Sequence, residues 1–263
     1  MGSLSFYGSG YSVTSAIRHN TSLFLQKDGT NLLIDCNGIC GQQLARQHID
    51  LNSIKHIYLT HEHIDHIGAL ANLIHQMWVK TCLYCEKGNE RTDRLNIYAN
   101  KDTIKCVKAM FDSVYLFDQP GMFPILFHEL KGDGGVIQIG DFNINYFPVA
   151  HNDTPCLGLA TQIDSKQFVY SADSSPIDSI YSRLKDGDIL VHDCNRIDEP
   201  LSGGHTTWDQ LRDMLPSLPD ITLYLVHLPD TPSAQEKAFK AYLKANFGEK
   251  VFMGEDGLKV QIK

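Results

Sequence analysis

The segment His61-Glu62-His63-Ile64-Asp65-His66 packs three imidazoles and two carboxylates into six residues. His61 and His63 follow the strand-like run His56–Thr60, and in extended chain residues i and i+2 point to the same side. Both imidazoles can therefore converge on one ion. Asp65 and His66 then open a helix and turn the chain, presenting an oxygen and a nitrogen to a second ion close by. Imidazole nitrogen mixed with carboxylate oxygen suits zinc, and also manganese or iron. With 12 His in 263 residues, H-x-H-x-D-H arises by chance with odds of roughly two in a thousand. A metal site is expected here.

A two-metal site needs further ligands at strand exits facing the same edge. His151 follows the run that ends at Val149, Asp173 follows Phe168–Ser171, and His227 follows Leu223–Val226. Alone, each is more often an ordinary core or surface residue. At the exits of apolar strands, in a chain that carries the cluster, all three become candidate ligands.

The elements that must position these groups alternate in type. Strand-like runs fall at Leu4–Tyr7, Ser22–Gln26, Asn31–Asp35, His56–Thr60, Leu95–Ala99 and Ile125–Leu130. Others follow at Gly135–Val149, Gly158–Ile163, Gln167–Ser171, Ile189–His192, Ile221–Val226 and Leu258–Ile262. Turn chemistry closes several, as at Lys27-Asp28-Gly29 and Gly140-Asp141. Three- and four-residue apolar steps predict helices over Ile39–His48, Ile64–Trp78, Thr103–Phe111, Ile177–Leu184, Thr207–Leu215 and Ala234–Asn246. Asp102 and Thr206 are the expected N-caps of two of them. No linker or repeat divides the chain, so residues 1–263 read as one mixed α/β domain.

At this point the sequence resembles a known family. Phe6-Tyr7-Gly8-Ser9-Gly10 leading to Arg18-His19-Asn20-Thr21-Ser22 is similar to the opening of the tRNase Z and phosphodiesterase branch of the metallo-β-lactamase superfamily. Leu33-Ile34-Asp35-Cys36, the histidine cluster, Pro148-Val149-Ala150-His151 and Tyr170-Ser171-Ala172-Asp173 follow in that branch's order. So do Asp188–Asp193, Gly204-His205-Thr206-Thr207, Leu225-Val226-His227 and Asp256-Gly257-Leu258. The resemblance implies a four-layer αββα metallo-β-lactamase sandwich. It also implies that His61, His63 and His151 hold one metal and Asp65, His66 and His227 the second, with Asp173 between them. Two divalent ions, Zn2+ first and Mn2+ or Fe as alternatives, are the expected cofactors. The remaining histidines, at 19, 48, 56, 75, 128 and 192, read as structural or surface residues.

Two ions roughly 3.5–4 Å apart can turn a bridging water into hydroxide and clamp a phosphoryl oxygen. Asp65 can both ligate and accept a hydrogen bond from the nucleophile. By the resemblance, His205 approaches the scissile phosphate and Asp193 holds it, which makes His205 a candidate proton donor. Asp65, His205 and Asp193 are thus the expected catalytic set.

Three chemistries share such a cage. β-Lactam hydrolysis usually goes with Cys where Asp173 stands. Thioester hydrolases of the glyoxalase II type commonly read Gly-His-Thr at the third ligand, where this chain has Ala150-His151-Asn152. The tRNA-processing enzyme carries a long arm between the third ligand and the bridging Asp. Here those residues are 173 − 151 = 22 positions apart, room for two strands and a turn only. A small phosphodiester such as a cyclic nucleotide is the expected substrate, with tRNA disfavoured. A catalytically idle metal-binding scaffold is the alternative of a different class. The segment Gln76–Arg94, with Trp78, Lys80, Tyr84, Lys87 and Arg91, is read either as a lid that meets base and phosphate or as an ordinary loop.

Composition narrows the rest. Hydrophobic residues make up 43% and charged ones 21%, enough for a sizeable core, and the net charge of -8 argues against a broad nucleic-acid face. No apolar run approaches a membrane span, and the N-terminus has no secretory pattern, so a cytoplasmic protein is expected. Seven Cys without such a signal predict free thiols. Cys82 and Cys85 have zinc-knuckle spacing but no clear second pair, so a structural metal there is not the first reading. By analogy with related enzymes the chain is expected to form a homodimer.

Overall fold

Most strands carry near-continuous apolar runs rather than strict alternation, the mark of strands covered on both faces. A computed structural model describes residues 2–88, 90–197 and 203–263 and shows why. The first sheet holds β1 (Gly2–Gly8), β2 (Ser22–Lys27), β3 (Thr30–Ile34), β4 (His56–Tyr58), β5 (Leu95–Ala99) and β6 (Ile125–Glu129). The second holds β7 (Gly135–Ile139), β8 (Phe142–Val149), β9 (Cys156–Ile163), β10 (Lys166–Tyr170), β11 (Ile189–Asp193), β12 (Thr222–Val226) and β13 (Val251–Met253). The last strand, β14 (Lys259–Ile262), returns to pair with β1 in the first sheet. Helices α1 (Cys40–Arg46), α2 (Ile64–Ile67), α3 (Leu70–Trp78), α4 (Lys101–Ser113), α5 (Asp178–Tyr181), α6 (Trp208–Met214) and α7 (Ser233–Phe247) complete the outer layers.

Alternate residues of each strand feed different cores. Leu23 and Leu25 of β2 join the layer between the sheets, while Phe24 faces the first helical layer. Phe168 and Tyr170 of β10 meet them from the second sheet, and Val169 faces the other helical layer. Three apolar layers thus separate four layers of structure, the αββα sandwich expected from the sequence. Burying these side chains contributes about 1.5–3 kcal/mol for each large one.

Chain direction brings the functional segments to one edge. β3, β4, β5 and β6 run parallel, and so do β10, β11, β12 and β13. β8 is antiparallel to β9, which is antiparallel to β10, so β8 and β10 share a direction. The segments after β4, β8, β10, β11 and β12 therefore leave the sheets at their C-terminal ends, the usual place for a site in such sheets. The Leu157 amide donates to the Thr60 carbonyl at 3.0 Å and stitches the sheets together beside the cluster.

Several local expectations shift. The helix expected over Ile64–Trp78 is two helices, because the Ala69 amide donates to Cys36 rather than continuing the ladder. Asn100, not Asp102, caps α4, its side chain accepting from the Thr103 amide at 2.8 Å. Thr207, not Thr206, caps α6 in a reciprocal box with Gln210. The run Gly135–Val149 is a hairpin that turns at Gly140-Asp141. Strand β13 has three residues, too short to carry a pattern. No helix among the described residues is long and apolar enough to cross a membrane.

His192 of β11 lies wholly buried, its Nδ1 against the Asp193 carbonyl at 2.8 Å and its Nε2 against the Tyr181 hydroxyl at 2.9 Å. Burial pushes its pKa down from 6.5 to about 4. Below 6.5 the unfolded chain takes up a proton that the folded chain refuses until about pH 4, so stability falls as pH drops through that window. The expected loss from this one group is ~3 kcal/mol. Urea titrations of metal-free protein at pH 7 and pH 4.5 should show His192→Gln losing distinctly less stability than the wild type. Equal losses would remove His192 from the account.

Candidate metal centre

The segment that leaves β4 puts the first two imidazoles together, their ring centroids 4.6 Å apart. His151, two residues beyond β8, joins them with its Nε2 3.1 Å from His63 Nδ1. His63 stands at the N-cap of α2, so the helix that follows carries Asp65 and His66 back toward the strand ends. His227 arrives from the end of β12 and Asp173 from the end of β10. The candidate ligand atoms form two groups, His61 with His63 and His151, and Asp65 with His66, Asp173 and His227. Within each group every ligand atom lies within 4.8 Å of the others.

Asp173 touches both groups. Its Oδ2 is 3.1 Å from His227 Nε2, 3.3 Å from His66 Nε2, 3.8 Å from His61 Nε2 and 3.9 Å from His151 Nε2. Asp65 Oδ2 lies 3.6 Å from His66 Nε2 and 3.5 Å from His227 Nε2. The residues singled out in the sequence are thus brought to one place.

Whether this set suits divalent cations can be read from its unmet demands. The Nε2 atoms of His61, His66 and His227 and Oδ1 of Asp173 are buried without a hydrogen-bond partner. Leaving such atoms unsatisfied costs about 1–3 kcal/mol each, and the three imidazole nitrogens converge on Asp173 Oδ2. Electrostatics points the same way. Burial lowers His66 and His227, yet Asp173 and neighbouring carboxylates override it and raise both, His66 strongly. His61 is held well below its usual value, first by burial and then by the charge of His66. The buried carboxylates demand positive charge, and the orphaned nitrogens offer lone pairs for it. The site fits divalent metal.

The outward-facing nitrogens of these rings are held from behind. His66 Nδ1 is 2.8 Å from Asp35 Oδ2, and His61 Nδ1 is 2.9 Å from Thr60 Oγ1. Thr60 itself donates to Asp35 through its amide, at 2.8 Å, and through its hydroxyl. His151 Nδ1 donates to the Gly204 carbonyl at 2.8 Å, and Asn195 Nδ2 lies 3.0 Å from His227 Nδ1. Gly204 adopts a φ of 72°, and a Cβ there would meet Asn152 Nδ2 at 2.5 Å. Left-handed backbone recurs at Asp35, Ala172 and His227, where it costs of order 1–3 kcal/mol each and persists because the surroundings fix it.

His205 stands beside both groups, its ring 4.9 Å from His151 and 5.0 Å from His227. Its side chain is 22% exposed, whereas Asp193 beneath it is fully buried and takes its Nδ1 at 2.7 Å. The Ser174 amide donates to the same Asp193 oxygen at 3.1 Å. Burial raises the Asp193 carboxyl, with the bond to His205 opposing. His205 is also near enough to His151 and Asp173, and to Asp193 and His227, to form further candidate groups.

The strand motif Leu33-Ile34-Asp35-Cys36 does not by itself place Asp35 behind His66; the structure does. The available signal was a carboxylate ending the apolar run Leu32-Leu33-Ile34, since a buried charge requires partners. Trp78 and Arg91 belong to the first helical layer. Trp78 donates to the Pro120 carbonyl, and buried Arg91 donates to the Leu51 and Ile54 carbonyls, so this cation is engaged away from the cluster. Asn89 of that segment lies outside the described residues. No cysteine joins a candidate metal group among the described residues, and Cys82 and Cys85 are free.

Replacing Asp35 by Asn keeps the shape and removes the charge behind His66. Such outer partners typically contribute 10–100-fold to metal affinity. Zinc affinity of Asp35→Asn, measured by competition with a chromogenic chelator, is expected to fall by that factor. Wild-type affinity in this variant would contradict the orienting role.

The family described as the anti-Pycsar protein Apyc1 matches residues 2–249. A ribonuclease Z of Bradyrhizobium diazoefficiens is 29% identical over 167 residues, 64% of this chain and 52% of that protein, so the chain matches about half the length of this relative. Among solved structures, the metallo-β-lactamase-fold protein YhfI from Bacillus subtilis superposes with a TM-score of 0.78 at 22% identity, covering 98% of each chain. A diphosphatase of the PhnP family gives 0.74 at 22% identity, covering 100% of this chain and 98% of that one. The fold is shared with both. The chain has the metallo-β-lactamase fold, and it belongs to the family described as the anti-Pycsar protein Apyc1.

Proposed function

We propose that the chain is a dinuclear metal-dependent phosphodiesterase that hydrolyses a compact phosphodiester, a cyclic nucleotide first among them. The observation that carries this reading is the His205–Asp193 pair standing beside two candidate ligand groups, with Asp173 of the second 3.8 Å from His61 and 3.9 Å from His151 of the first. In this reading His61, His63 and His151 hold one ion, Asp65, His66 and His227 the other, and Asp173 serves both. Zinc fits the nitrogen and oxygen donors, with manganese or iron as alternatives. Divalent ions so held supply Lewis acidity toward a phosphoryl oxygen and a nucleophile drawn from water at neutral pH.

The chain's own residues supply the rest. Asp65 has its side chain largely buried, with one oxygen near both His66 and His227, and so can accept a hydrogen bond from the attacking water. His205 gives its Nδ1 to Asp193, which leaves Nε2 for the substrate. From there it can hydrogen-bond a phosphoryl oxygen or hand a proton to the departing oxygen. Asp193 fixes the ring and is itself fixed by the Ser174 amide. A thioester or an idle scaffold gives this pair no comparable task.

The segment between His151 and Asp173 supports a small substrate. It contains β9 and β10 joined at Asp164-Ser165, with no length left for a protruding arm. The net charge of -8 offers no general basic surface in its place. Both features favour a small diester over tRNA.

A panel of cyclic mononucleotides, linear dinucleotides, a tRNA precursor and an acyl-glutathione thioester tests the assignment on zinc-loaded protein. Turnover of bis-p-nitrophenyl phosphate and of a cyclic mononucleotide is expected; cleavage of the tRNA precursor alone would overturn the small-substrate reading. His205→Ala should keep its metal content while kcat falls by about 10²–10⁴. If bound zinc fell in parallel with kcat, His205 would be a ligand rather than a proton donor.

A further inference from the structure

Next to the ligand groups lies a cavity of about 530 Å3 that the hydrolytic step does not use. Its size falls within the ~300–1,000 Å3 typical of small-molecule sites. It shares a wall with the metal centre. Asn195, which lines it, places Nδ2 3.0 Å from His227 Nδ1, and the Tyr11 ring meets the His227 ring edge-on at 6.5 Å. Phe239 and Ala238 of α7 give it apolar surface, while Thr231 and Gln235 add a hydroxyl and a second amide.

We infer that this cavity receives the nucleoside of the substrate while the phosphate sits at the ligand groups. The inference rests on the phosphodiesterase reading above and deepens it. A nucleobase is flat, π-rich and edged with both donors and acceptors. Tyr11 offers a ring for stacking, which tolerates any base. The amides of Asn195 and Gln235 each present a donor and an acceptor, so they can serve the edge of a purine or a pyrimidine. A simple acyl chain would leave those polar groups unmatched.

The wall that carries Tyr11 is fixed in advance. The Tyr11 amide donates to the Leu228 carbonyl at 3.0 Å, and Asn20 Nδ2 donates to the Tyr11 carbonyl at 2.7 Å. On the opposite side, the Trp208 amide donates to the Arg196 carbonyl at 2.8 Å. With the backbone held this way, only the Tyr11 side chain remains to be ordered when a base settles on it, and such preorganisation favours affinity.

Calorimetry on the zinc-loaded protein can separate the nucleoside from the phosphate. The probes are adenosine and cytidine 5'-monophosphate, each compared with inorganic phosphate. In the wild type both nucleotides should bind at least tenfold more tightly than phosphate. In Ala238→Trp, which fills the cavity, that advantage should shrink below threefold. Tyr11→Ser provides the same reading should the tryptophan variant fail to fold. A wild type that binds nucleotides no better than phosphate overturns the inference, as does an advantage that survives filling the cavity. Binding needs no turnover, so failure of the phosphodiesterase reading shows separately, as a wild type inert toward bis-p-nitrophenyl phosphate.

Discussion

Asp35 sits at the end of β3 with no exposed surface, and three donors converge on its two oxygens. Burying a carboxylate is costly unless hydrogen bonds compensate it, so Thr60 and His66 are not optional neighbours. Thr60 begins the turn out of β4 and passes the constraint to His61 through its hydroxyl. His66 takes its orientation from the second Asp35 oxygen. Two candidate ligands, one from each group, are thereby set by one charge. The left-handed backbone at Asp35, with φ of 58°, is the strain that accompanies this placement.

The candidate ligand groups straddle the sheets. His61, His63, Asp65 and His66 come from the first, while His151, Asp173 and His227 come from the second. Ligand spacing therefore depends on how the inter-sheet core packs. Tyr58 illustrates the coupling, since it is fully buried in that core and its hydroxyl donates across the gap to the Leu157 and Gly158 carbonyls at 3.3 Å. Close-packed interiors transmit small shifts rather than absorbing them. A core truncation there would be felt at the metal centre as well as in stability.

What the sequence made legible followed from chemistry that is local along the chain. The spacing of His61, His63, Asp65 and His66 lies within six residues, and strand exits mark His151, Asp173 and His227 without any knowledge of packing. The partners behind them were not legible. Asp35 precedes His66 by 31 positions, Gly204 follows His151 by 53, and Asn195 precedes His227 by 32. Only tertiary structure pairs residues so far apart. The helix break at Gly68-Ala69 was hidden for a similar reason, because Cys36 captures the Ala69 amide from outside the helix. The caps moved by one or two residues because several side chains nearby could serve, and the final choice depended on backbone geometry.

Proteins similar to this chain are named for action on different bonds, a ribonuclease Z and a diphosphatase among them. Selectivity must therefore come from the walls around the cage. In this chain one wall is the loop between β1 and β2, and it is tied down by charge. Arg18 is buried and donates to Ser9 and to the Gly254 carbonyl at 2.6 Å, and to Glu236 of α7 at 3.0 Å. Ser9 passes a bond to Asp256, which also holds the His19 amide. A buried ion pair of this kind contributes little net stability but is costly to break, about 3–5 kcal/mol when one partner is removed. Such an arrangement suits geometric precision better than stability. It locks the Tyr11 loop to α7, the two elements that flank the cavity beside His227, so the shape of that wall is settled before any substrate arrives.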